Sequence, residues 1–191
     1  VRKFLFILLC VLGLWGSASC AALIDDLTDG QHVLLIRHAD APGFGDPPGY
    51  QLDDCATQRN LGEVGRTQSV LIGKWLAQQG VVRARMMSSA WCRCLDTAKL
   101  MDKGPVLIDP SLGSFFDDAR LNQAQTVALQ KMIATKLHEN KSIPLILVTH
   151  HVNIQAFTGE VVSVGDMVLV HVTPDGAYLS HQVLAVPPVS K

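Results

Sequence analysis

The sequence has no surplus of charge, no apolar run long enough to span a bilayer, no internal repeat and no low-complexity tract. Its 191 residues carry 16 Lys and Arg against 17 Asp and Glu, a formal net charge of −1. That balance lacks the basic footprint of a nucleic-acid partner, and no block of like charge marks a solvated tail. The longest apolar stretch, Phe4 to Trp15, is about a dozen residues, short of the roughly 20 that a spanning helix needs. Cysteine is scarce, and Cys92 and Cys94 stand one residue apart, too close for a zinc knuckle. What is there is 48% hydrophobic and of a length that suits one domain with an ordinary core.

Arg2 and Lys3, the apolar run after them and the small residues Gly16 to Ala22 read as a secretory signal with its cleavage zone. The expectation is a signal peptide over 1–21 and a single domain over 22–191, exported and periplasmic, with no stable membrane insertion after cleavage. An uncleaved anchor is the alternative. Cys10 and Cys20 leave with the signal, so Cys55, Cys92 and Cys94 remain in an oxidising compartment where two of them are expected to pair. Cys55 with Cys92 is the expected bridge, tying a long loop to the start of a helix and adding about 3 kcal/mol through loop closure. Cys94 lies just as near, so the residues leave the pairing open, and three reduced, buried cysteines are the alternative.

Val33-Leu34-Leu35-Ile36 is apolar without alternation, as in a strand covered on both faces, and it ends abruptly in Arg37-His38. Pro144 to Thr149 repeats the pattern and ends in His150. Short strands are expected at 85–87 and 106–108, and helices over 63–79, 91–101 and 123–139. Val64, Val70, Leu71, Trp75 and Leu76 are core candidates on the first helix, and Val127, Ile133 and Leu137 on the third. A closing hairpin pairs 167–172 with 177–181, and the tail Val186 to Lys191 is expected to fray. Strands alternating with helices give an α/β class: a three-layer α/β/α sandwich with a mainly parallel sheet and an antiparallel edge. The Pro-, Gly- and Asp-rich segment Asp40 to Arg59 reads as a long surface loop, with Phe44 and Tyr50 as possible walls of an otherwise open cleft.

Ligands of parallel sheets sit beyond the carboxyl ends of the strands. Arg37-His38, the turn Ser88-Ser89-Ala90-Trp91-Cys92-Arg93 and Thr149-His150 all fall there. Two arginines, two histidines and a helix N-terminus suit an anionic tetrahedral group.

The strand-end Arg37-His38-Ala39, Ser88-Ser89 followed by Arg93-Cys94-Leu95-Asp96-Thr97-Ala98, Asn60-Leu61 with Gly65-Arg66-Thr67-Gln68, and the late Val148-Thr149-His150 together resemble the histidine phosphatase superfamily, the phosphoglycerate mutase-like group. The resemblance covers nearly all of the mature chain and is nearest to small exported bacterial members with little or no lid insertion. It implies a phosphatase that hydrolyses phosphomonoesters without a metal or other cofactor, with His38 as nucleophile and a phosphohistidine intermediate. Arg37, Arg93 and a partly protonated His150 would grip the phosphoryl oxygens, and Arg59 and Asn60 would add substrate contacts. Many relatives carry a Glu as acid in the loop after the arginine helix. Leu112 to Asp118 offers none, so Asp117 or, alternatively, Asp118 takes that role, with Asp40 and Glu160 as weaker candidates. Thr97 reads as packing and His151 as rim.

The implied partner is a phosphorylated small molecule or an exposed phosphoryl group, not nucleic acid, and the residues set no oligomeric state. Two other readings stand beside this one. One is a non-catalytic binder of a phosphoryl ligand. The other is a metal-dependent hydrolase using His38, Asp40, His150 and Asp117, which the neighbouring arginines disfavour.

Overall fold

In a computed structural model, the structure describes residues 23–184. The expected signal segment 1–21 and the fraying tail 186–191 lie outside the described residues.

The chain runs α1 (Leu23–Leu27), β1 (His32–Arg37), α2 (Glu63–Gln78), β2 (Arg85–Ser88), α3 (Cys92–Leu100), β3 (Val106–Ile108), α4 (Asn122–Glu139), β4 (Leu145–Thr149), α5 (His151–Thr158), β5 (Met167–Val172) and β6 (Tyr178–Leu184). The strands form one sheet in the order β3-β2-β4-β1-β5-β6. β1, β2, β3 and β4 are parallel, with Arg37 beside Thr149 and Ser88 beside Val148. β5 and β6 close the other side antiparallel, β5 against β1.

The unbroken apolar runs follow from burial on both faces. Leu34 and Ile36 point into a core shared with α1, α2 and α3, while Val33 and Leu35 point into a second core with α4 and α5. This is the three-layer sandwich expected, and its parallel register delivers the ends of β1, β2 and β4 to one edge.

The helical cores differ from expectation in detail. Leu76, Ile133 and Leu137 are buried as expected, but Val64, Val70 and Val127 are exposed, and α2 also buries Gly65, Gln68, Ser69, Ile72 and Gly73. The reason is close backbone approach. A Cβ at Gly65 would lie 2.0 Å from the Asp40 carbonyl oxygen, and one at Gly73 would lie 2.2 Å from that of Met101. α2 therefore presses a small-residue face onto the segment that follows β1.

Candidate active site

His38 follows β1 and is pinned through its own backbone. Its N–H donates to the Thr149 carbonyl at 3.0 Å, and its carbonyl accepts from the Gly165 N–H at 3.1 Å. The ring Nδ1 lies 2.8 Å from the Ala39 carbonyl oxygen. A carbonyl only accepts, so Nδ1 carries the proton and Nε2 keeps its lone pair. The residue is buried, and burial, reinforced by Arg93, Arg37 and Arg59 against the opposing pull of the Ala39 hydrogen bond, pushes its pKa down to about 3. His38 is therefore neutral at any ordinary pH.

Two guanidinium groups flank it in the same state of partial commitment. Arg37 Nη1 donates to the Val162 carbonyl at 2.7 Å, and Arg93 Nη1 donates to Asp46 at 2.9 and 3.1 Å. In both residues the Nε–H is buried without a partner. Unpaired buried donors are costly, about 1–3 kcal/mol each, and the two arginines that carry them line one cavity of about 240 Å³ with His38, Arg59 and His150. Such donors suit an oxyanion.

His150 caps α5 and places Nε2 at 2.8 Å from Ser89 Oγ and 3.5 Å from Cys94 Sγ. Its ring meets that of His38 edge-on at 5.5 Å between centroids. Burial first, then Arg93 and His38, lower its pKa well below the usual range. The side chain is neutral beside these cations, and its single N–H is what it has to donate. Burial likewise pushes the Cys94 thiol up to about 12, so it is no thiolate.

Of the other expected contacts, Arg59 lines the cavity, with its Nε donating to the Gly45 carbonyl at 2.8 Å and its Nη1 to that of Ala41. Asn60 does not line it. Its Nδ2 donates to the carbonyls of Cys55 and Gln58 at 2.6 and 3.1 Å, so it braces the loop rather than a ligand. Asp117 lines the cavity, as do Asp40 and His151. Asp117 also faces Tyr50 electrostatically: the Tyr50 pKa is raised by burial first and then by the charges of Asp117 and Asp46. Asp118 points elsewhere. It caps the turn at 119–121 and holds Arg120 through two contacts of 2.7 Å on the surface. Glu160 pairs with His181 at 3.1 Å, away from the cavity.

The loop after β1 is more ordered than its composition suggests. A Cys55–Cys92 disulfide fastens it to the first residue of α3, and Gln58 Oε1 accepts the Cys92 N–H at 2.9 Å. Cys94 is the free, buried cysteine. Phe44 lines the cavity as expected and, though 88% exposed, meets Phe116 edge-on with ring centroids 5.2 Å apart, and the Asp46 carboxylate enters from the same loop. Tyr50 packs toward Trp91 and the core instead of forming a wall.

Asp46, Gln68 and Thr97 were not legible as site residues. Thr97 Oγ1 accepts from the Ala39 N–H at 3.0 Å and donates to the Arg93 carbonyl at 2.7 Å, which ties the segment after β1 to α3. Gln68 accepts from the Asp40 N–H and donates to the Val164 carbonyl, both at 3.0 Å. Its place in Gly65-Arg66-Thr67-Gln68 was the available signal. Asp46 lies in Asp46-Pro47-Pro48-Gly49, where turn chemistry hides any other role. Among the described residues, no group of three or more His, Cys, Asp or Glu side chains is placed to hold a metal ion.

No family model and no curated protein matches the sequence. Solved structures do match the fold. A mycobacterial glucosyl-3-phosphoglycerate phosphatase aligns with a TM-score of 0.55 at 18% identity, over 80% of this chain and 96% of its own. The protein histidine phosphatase SixA, solved with tungstate, aligns with a TM-score of 0.53 at 18% identity, over 81% of this chain and 94% of its own. A protein described as mycobacterial hydrolase 1 gives a TM-score of 0.58 at 15% identity, over 80% of this chain and 96% of its own. The resemblance seen in the sequence thus holds at the level of architecture: the chain has the phosphoglycerate mutase-like fold that these structures share.

Proposed function

We propose that this chain is an exported histidine phosphatase that hydrolyses phosphomonoesters through a phosphohistidine on Nε2 of His38. The observation that carries this reading is the pairing of a neutral, tautomer-fixed imidazole with two arginines whose buried Nε–H groups lack any protein acceptor. The fold shared with phosphatases, one of them solved with the oxyanion tungstate, supports it.

The phosphoryl group sits among Arg37, Arg93, Arg59 and His150, which follow its charge through the transition state. The Nε2 lone pair attacks phosphorus, the P–O bond to the leaving group breaks, and Asp117 gives that oxygen a proton. The phosphorylated ring keeps its Nδ1–H on the Ala39 carbonyl, which stabilises the positive charge it acquires. Water then attacks phosphorus and gives its proton to the Asp117 carboxylate. The N–P bond breaks, and phosphate leaves with His38 neutral again. Because His38 enters neutral, no deprotonation precedes the attack.

The test is release of nitrophenol from p-nitrophenyl phosphate by the mature protein, with and without EDTA, beside His38→Ala. Turnover that survives EDTA and vanishes in the variant supports the proposal. Turnover abolished by EDTA favours the metal-dependent reading. No turnover, with vanadate still protecting against heat, favours a binder.

A further inference from the structure

Asp46 stands where a phosphatase has least use for a carboxylate, against the arginine meant to hold phosphate. Its side chain is 4% exposed. Oδ1 accepts from Arg93 Nη1 at 2.9 Å and from the Arg59 N–H at 2.9 Å. Oδ2 accepts from the same Nη1 at 3.1 Å and from Trp91 Nε1–H at 3.1 Å.

A carboxylate in that position either blocks the anion site and must leave, or belongs to the site and sets the arginine. The donor accounting separates the two. Asp46 engages only Nη1, and the Nε–H of Arg93 stays buried and free. Withdrawal would strand the Trp91 indole and the Arg59 amide and leave Nη1 only the Arg59 carbonyl at 3.4 Å, whereas staying leaves the other guanidinium donors free. The surrounding loop opposes withdrawal too. The Cys55–Cys92 bridge and the Gln58 bond to the Cys92 N–H hold it against the start of α3, on either side of which stand Trp91 and Arg93. Arg37 shows the same arrangement with a different acceptor, its Nη1 taken by the Val162 carbonyl and its Nε free.

Resting on the reading of the cleft as a phosphoryl site, we propose that Asp46 is a positioning residue, fixing the Arg93 guanidinium at the cavity wall so that the donors it leaves free serve the phosphoryl oxygens. It touches no reacting atom and acts through Arg93. Asp46→Asn weakens the neutral-for-charged hold on Nη1 while keeping the side chain's size, and loss of an oriented contact of this kind costs on the order of 10²-fold.

The experiment is a double-mutant cycle on the full mature protein. Orthovanadate binding by calorimetry and kcat/KM on p-nitrophenyl phosphate are measured for wild type, D46N, R93A and D46N/R93A, with thermal unfolding as the control of fold. The expected result is that D46N loses on the order of 10²-fold in both quantities, while adding D46N to R93A changes neither by more than about twofold. A merely structural Asp46 gives losses that multiply, and a blocking Asp46 gives tighter vanadate binding in D46N. Either overturns the proposal. Should D46N fail to fold, Trp91→Phe removes one donor to Asp46 and is read through the same cycle. It is expected to cost several-fold in wild type and nothing beside R93A, and equal losses in both backgrounds overturn the proposal. If wild type binds vanadate and D46N binds it equally, only the positioning role fails. If wild type binds neither vanadate nor phosphate, the phosphoryl reading fails and this one with it.

Discussion

His38 has one ring nitrogen committed and one free, and the activity is expected to follow from that division. With its pKa about 3, the proposed nucleophile stays deprotonated through the acidic range, so kcat/KM is expected to show no fall centred near pH 6.5. A pH–rate profile on the mature protein checks this, and an acidic limb at 6.5 assigned to His38 would contradict it. Arg37→Ala and Arg93→Ala are each expected to cost about 10²–10³ in turnover, as for other lost transition-state donors. Asp117→Asn is expected to cost about 10²–10⁴ with alkyl phosphates and little with p-nitrophenyl phosphate, whose leaving group needs no proton. A ratio of kcat values that is equal for both substrates removes Asp117 as the acid. At this scale Arg37, His38, Arg93 and His150 were legible because strand ends and a helix start announce them. Asp46 was not, because its partners are Trp91 and Arg93, far along the chain. Asp118 was indistinguishable from Asp117 by sequence, and only the turn at 119–121 and Arg120 separate them.

The elements that matter most are the loop after β1 and the helices that clamp it. Gly65 on α2 has no room for a side chain beside the Asp40 carbonyl. Gly65→Ala is expected to cost about 1–3 kcal/mol by overpacking, read from urea denaturation, and to disturb activity as well because Asp40 lies two residues from His38. The Cys55–Cys92 bridge spans a sequence separation of 37. Its removal in Cys55→Ser is expected to lower stability by about 3–4 kcal/mol and to weaken vanadate binding, since the same loop carries Asp46 and Arg59. The helices and strands of the sandwich were legible from periodicity and from unbroken apolar runs. The burial of α2 was legible only in part, because beside Ile72 and Leu76 its packed face is made of Gly65, Ser69 and Gly73, which carry no hydrophobic signal. The loop's order was hidden for a related reason, since one disulfide and a few long-range hydrogen bonds from Gln58, Asp46 and Arg59 supply it.

At the scale of the whole molecule, the parallel sheet gathers two histidines of depressed pKa and three arginines at one edge. His38 and His150 are neutral when folded and titrate near 6.5 when unfolded. Stability is therefore fully present above about pH 6.5 and is lost as pH falls from there toward the lowered folded values, by about 1.4 kcal/mol per pH unit for each histidine. Melting temperature is expected to drop from pH 7 to pH 5, with phosphate recovering part of it because an anion offsets the clustered arginines. A melting temperature that rises on acidification would contradict this. The central claim is a covalent bond from Nε2 of His38 to phosphorus, and rapid quenching of the mature protein with p-nitrophenyl phosphate, followed by mass spectrometry of the peptide that contains His38, tests it most directly. The expected result is an acid-labile phosphoryl group on that peptide within the first turnover, absent from His38→Ala. Full turnover with no phosphoryl group on His38, or with the variant equally active, would contradict the account.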